Sequence, residues 1–198
     1  MRKFVLLAVA AIFCHGCNQS APKPQAVASA SQQNSTEIDT MQFDTLKAAA
    51  ENGNAKAQLS LGYAYDVGRG VEQNLKSAAH WYQKAGAQGE PNAQFNYAEM
   101  LRDGAGVPQS SENALDWYTK AAMQGHSKAQ YNIAMMYVEG EGVASDNVTA
   151  YAWLVLASAG DAVGADQALK IVGDGIGERI TDGKALAQKL KAEIGNAE

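Results

Sequence analysis

Cysteine thiolates and histidine imidazoles are the side chains best suited to nucleophilic, acid–base or metal chemistry near neutral pH, and this chain has few of either. Both cysteines, Cys14 and Cys17, lie within the first 17 residues. No disulfide and no thiolate zinc site is therefore expected in the body of the chain. His80 precedes Trp81 and aligns with Asp116 one repeat on, while His126 stands in a turn after Gly125. Each reads as a surface histidine rather than a general base. No HExxH or GxSxG occurs, and a catalytic site needs several converging groups. The expectation is a protein that is not an enzyme, with no catalytic, cofactor or metal site.

Glycine-rich loops are the other chemistry the sequence could offer. GRGV (Gly68–Val71), GAGV (Gly104–Val107) and GEGV (Gly140–Val143) would cradle phosphates if each followed a strand and opened a helix. Each follows a helical stretch instead, and none completes a dinucleotide or P-loop pattern. These glycines mark turns.

Their spacing carries more than their chemistry. The three tetrapeptides recur every 36 residues, as do Trp81, Trp117 and Trp153. The pairs Ala57-Gln58, Ala93-Gln94 and Ala129-Gln130 share that period, and so do Gly53, Gly89 and Gly125. Independent landmarks at one period are the signature of a repeat array. Within each repeat the punctuation predicts two helices. The first runs from about Ala55 to Val67 and stops at Gly68, since glycine takes the left-handed conformation that ends helices. Asn74, Ser110 and Asp146 then stand as N-caps of the second. Gly62, Ala98 and Ala134 share one place in the first helix, and Ala78, Ala114 and Ala150 one in the second, which lets helices approach closely. The tryptophans are expected to wedge between repeats as core.

Full repeats span about 54–89, 90–125 and 126–161, within an array over 39–178. Residues 39–52 look like a second helix without its partner. After Trp153 the period degenerates, with Ala165-Asp166 echoing the Ala-Gln pair, and Thr181 is expected to cap a last helix inside 179–198. Atypical end units shield the core of a finite stack.

The chain opens MRKFVLLAVAAIFCHGC: Arg2 and Lys3, then an apolar run over 4–13. Ten residues are too few to span about 30 Å of hydrocarbon, so 1–16 reads as a secretory signal peptide. Gly16-Cys17 is similar to the end of a bacterial lipobox, although Cys14 stands where an aliphatic residue is usual. Lipidation at Cys17 is expected, with ordinary cleavage near Gly16 as the alternative. Asn18, in place of an aspartate, favours an outer-membrane anchor facing the periplasm. Residues 17–38 are rich in Ser, Ala, Gln and Pro and cannot bury enough surface to fold, so they read as a flexible linker. The formal charge of −5, which becomes −7 without Arg2 and Lys3, repels phosphate backbones and argues against nucleic acid. A protein partner or a small cationic ligand remains open.

The run AKAQLSLGYAYDVGRGVEQNLKSAAHWYQKAGAQG, in three linked copies over about 40–170, resembles the Sel-1-like repeat family, relatives of the tetratricopeptide repeat. The resemblance implies an all-α, right-handed superhelical solenoid of antiparallel helix pairs, its concave face lined by first helices. It also implies an adaptor or scaffold, since most members hold protein complexes. Some cysteine-rich relatives have been described as β-lactamases, but the cysteines of their repeats are absent here.

Where the first helices differ from repeat to repeat, the variable places return to one helical face. They are Lys56, Leu59, Tyr63 and Asp66; Asn92, Phe95, Glu99 and Arg102; Lys128, Tyr131, Met135 and Val138. By the resemblance that face lines the groove. There the aromatics and Met135 would be apolar anchors and Arg102 a carboxylate fork; the alternative is that the aromatics pack between repeats. Two functions fit: an envelope adaptor for another protein or peptide, or an immunity protein that caps a secreted toxic enzyme.

Overall fold

The computed structural model describes residues 42–195; the leader, Cys17 and the linker lie outside them. The described chain is a run of helices without strands: α1 (42–51), α2 (Ala55–Val67), α3 (Leu75–Ala87), α4 (Pro91–Asp103), α5 (Ser111–Ala122), α6 (Ser127–Glu139), α7 (Asn147–Ala159), α8 (Ala165–Ile176) and α9 (Ile180–Gly195). Antiparallel pairs α2/α3, α4/α5 and α6/α7 stack into an all-α solenoid.

Local chemistry sets each pair. Gly68, Gly104 and Gly140 end α2, α4 and α6 in the left-handed conformation, at φ of 72°, 71° and 70°. Asn74, Ser110 and Asp146 accept from the backbone amides of Ser77, Asn113 and Val148, as N-caps should. Their own amides donate back to Tyr65, Leu101 and Tyr137 at 2.8, 2.8 and 3.0 Å, which fixes how each helix pair folds over. The second glycine of the loop has a different task. A Cβ on Gly106 would sit 2.3 Å from the Leu75 carbonyl oxygen, and one on Gly142 2.6 Å from the Ser111 carbonyl carbon. These loops rest on the start of the preceding repeat's second helix, so this glycine sets the stacking distance between repeats.

Packing differs from the expected tryptophan core in one respect. Among the large side chains wholly buried, with Leu61, Ile133 and Met136 of the first helices, are Tyr82, Tyr118 and Leu154 of the second, each one residue after a tryptophan. Trp81 and Trp117 are half-buried, and only Trp153 is buried. Successive helical residues point about 100° apart, so the tyrosine fills its own pair while the tryptophan reaches the seam. Trp117 does wedge there: its ring lies 3.0 Å from where a Gly86 Cβ would be, edge-on to Tyr97 at 5.1 Å. Gly62 makes room for Tyr82, whose ring would be 2.6 Å from an added Cβ.

The recurring glutamines are buried polar pins. Gln58, Gln94 and Gln130 donate to the carbonyls of Ala50, Gly86 and Ala122 at 3.0, 2.9 and 3.1 Å, near the ends of α1, α3 and α5. Each of those last-turn carbonyls also accepts the amide of the turn glycine that follows, Gly53, Gly89 or Gly125, at 3.0 Å. Gln88 and Gln124 in turn donate to the side-chain oxygens of Gln58 and Gln94 at 2.6 and 2.8 Å. A buried amide so satisfied fixes one register between repeats.

Both ends are closed. In the place of a second helix, α1 packs Ala50 with Ala57 and Leu61 and sets Phe43 edge-on to Tyr65 at 5.8 Å. At the other end the Tyr151 ring lies between α8 and α9, 3.1 Å from a Cβ on Gly173 and 2.6 Å from one on Gly183. Thr181 is not the cap expected of it. It lies inside α9, which begins at Ile180, and its hydroxyl donates to the Glu178 carbonyl.

Candidate ligand groove

The side chains of α2, α4 and α6 that leave the core line a groove of about 570 Å³. Five of the variable first-helix residues meet in it: Leu59, Tyr63, Asn92, Phe95 and Lys128. A shallower pocket continues past Phe95 and Lys128 to Glu99, Arg102 and Tyr131, and ends at Ala162 and Val163. Lys56, Asp66 and Met135 line neither space: Lys56 is exposed, Asp66 and Met135 half-buried. Val138 packs against the core.

The acidic members are structural. The Tyr118 hydroxyl donates to Glu99 Oε1 at 2.6 Å, and Asn132 Nδ2 donates to the same oxygen at 2.8 Å. Tyr82 donates to Asp66 Oδ2 at 3.3 Å. Burial, and then the Glu99 carboxylate, raise Tyr118 far above the ordinary tyrosine range, so it stays a donor. Arg102 is likewise no open fork. Its guanidinium lies 3.7 Å from Glu99 Oε1 and 3.4 Å from Asp103 Oδ1, because the i, i+3 spacing brings Glu99 beneath it.

The aromatics divide between the two readings. Tyr63 is 48% exposed. Phe95 and Tyr131 are half-buried against the core, Phe95 stacked on His126 with centroids 4.7 Å apart. His126 is no idle surface residue either: its Nδ1 accepts from the Ala129 amide at 3.2 Å, capping α6. Burial first, and then Lys128 nearby, lower its pKa against an opposing backbone hydrogen bond. The signal for this role was Asn54, two repeats earlier, whose side chain accepts from Ala57 at 2.9 Å.

Sequence reasoning also missed the groove's end walls. Phe43 and Leu46 of α1 close one side, and Arg69, in the loop after α2, reaches in from another. Ile171 of α8, 36 residues after Met135, is 63% exposed and lines neither space. Among the described residues no carboxylate lines the larger space, and neither Arg69 nor Lys128 forms an ion pair. Among those residues no cluster of His, Cys, Asp and Glu could hold a metal ion, and no helix is long and apolar enough to cross a membrane.

The Sel1 repeat model matches residues 55–90, 91–126 and 127–161. The chain belongs to the Sel1 repeat family. Each matched Sel1 repeat starts one residue after the boundary read from the sequence, the difference being the N-cap position before each first helix. The fold is similar to that of a Sel1 repeat protein from Oxalobacter formigenes, at 35% identity over 65% of this chain and 97% of that one, with a TM-score of 0.60. It is also similar to a protective antigen present in uropathogenic Escherichia coli strains that displays an SLR fold. That match has 28% identity and a TM-score of 0.59, over 77% of this chain and 41% of the antigen. Sel1 repeats generally serve as scaffolds for protein–protein binding.

Proposed function

We propose that this chain is a non-enzymatic scaffold of the bacterial cell envelope that holds another protein in the groove of α2, α4 and α6. The observation that carries the reading is the set of side chains left partly uncovered there. The alanines, tyrosines and glutamines make the inter-helix contacts, while Tyr63, at 48% exposed, and half-buried Leu59 and Phe95 face a space of about 570 Å³. Partly exposed aromatics beside a concave space are typical anchors for a partner side chain. The signal-like leader supports export, and Gly16-Cys17 supports a lipid on Cys17 that tethers the scaffold to a membrane facing the periplasm.

Site-specific photocrosslinking tests the groove. A benzophenone side chain at Tyr63 should give a discrete adduct with an envelope protein, and one at Lys84 of α3, which lines neither pocket, should not. Adducts from Lys84 alone would move the binding face to the second helices. Labelling with a palmitate analogue tests the anchor: Cys17→Ser should lose the label and Cys14→Ser should keep it.

A further inference from the structure

The groove's charge is opposite to that of the chain around it. The protein carries 21 acidic and 16 basic residues, yet among the described residues the larger cavity is lined by Arg69 and Lys128 and by no carboxylate. The two carboxylates on the same helix face, Asp66 and Glu99, lie outside this larger space and accept hydrogen bonds from Tyr82 and Tyr118; Glu99 lines the adjoining shallower pocket, where Arg102 pairs with it. Arg69 follows the C-terminal end of α2, and Lys128 stands in the first turn of α6. Because the first helices of stacked repeats run parallel, the two cations occupy opposite corners of the groove. Tyr63, Leu59 and Phe95 lie among the lining residues of that same space.

Resting on the reading that this groove binds protein, we infer that its partner presents a segment in which carboxylate side chains flank a large apolar side chain. The apolar side chain packs among Leu59, Tyr63 and Phe95, and the carboxylates meet Arg69 and Lys128. A cationic ligand, left open by the net charge alone, would face two cations with no counter-charge from the described residues in the cavity. Complementary charge in a concave, low-dielectric wall raises the encounter rate and rejects partners of like charge.

Fluorescence anisotropy with the full chain and three synthetic peptides tests the inference. The first carries Leu-Phe flanked on both sides by Asp-Glu; the others replace the acids with Gln or with Lys. The acidic peptide should bind at least about tenfold more tightly than the Gln peptide, and the Lys peptide more weakly still. Arg69→Ala and Lys128→Ala should each weaken the acidic peptide by about three- to tenfold, and added salt should weaken it further. Tyr63→Ala should weaken the acidic and Gln peptides alike. Equal binding of the three peptides, no binding of the acidic one up to about millimolar concentration, or indifference to both cation substitutions overturns the inference. If the Lys peptide binds best and still depends on Tyr63, the groove reading stands and the charge inference fails. Vesicles containing phosphatidylglycerol form the last arm. Binding to them that requires Lys128, with no acidic-peptide binding, would assign the cations to lipid and also overturn it.

Discussion

The hydroxyl of Tyr118, on α5, donates to Glu99 Oε1, on α4, at 2.6 Å, joining the buried interior of the middle repeat to the groove wall. One bond keeps a phenol satisfied in the core and engages a carboxylate that lines the shallower pocket. Glu99 also accepts from Asn132 on α6, so it ties α4 to the next repeat as well.

Removing that hydroxyl should therefore cost stability. Tyr118→Phe keeps the ring volume and deletes a hydrogen bond to a charged acceptor, so urea unfolding should show a loss of about 1–3 kcal/mol. Tyr82→Phe, whose bond to Asp66 is longer at 3.3 Å, should lose less. Equal losses would mean that the Tyr118–Glu99 bond contributes nothing particular.

His126 gives the fold a pH dependence of defined sign. Its pKa in the folded protein is lowered, burial being the main cause, so the unfolded chain binds the proton more readily. Its contribution to stability is fully present above the unfolded value of about 6.5 and is lost as pH falls below it. A protonated Nδ1 can no longer accept from Ala129. His126→Asn copies the cap that Asn54 supplies to α2 and should flatten the melting temperature between about pH 5 and pH 8. An unchanged slope would place the titration elsewhere.

Two glycines with the same kind of backbone should respond differently to alanine. Gly89, at φ +93°, has nothing within 4 Å of an added Cβ, whereas Gly106, at φ +74°, would press on the Leu75 carbonyl. Gly89→Ala should lose about 1–2 kcal/mol for the left-handed conformation alone. Gly106→Ala should lose about 1–3 kcal/mol more, because the stack must open to admit the methyl group. Comparable losses in denaturant melts would show that the loop does not set repeat spacing.

The sequence by itself determined the solenoid and its punctuation. A period of 36 residues fixes where glycine must end a helix and where Asn74, Ser110 and Asp146 must begin one, since capping depends on residues only a few places apart. Spacing could also mark Gln58, Gln94 and Gln130 as important, yet their task became visible only when helix ends from the preceding repeat met them. Tertiary structure alone decided what the variable face offers. Asp66 and Glu99 look like free charges on the first helices, but packing brings Tyr82, Tyr118 and Asn132 within reach and engages them. Arg69, Phe43 and His126 look like a loop cation, a stray aromatic and a surface imidazole, and the stacking of helices brings all three to the same cavity. The division has a physical cause. Helix limits follow from backbone hydrogen bonds between near neighbours in the chain, while groove chemistry depends on which side chains the interior consumes and which it leaves facing out.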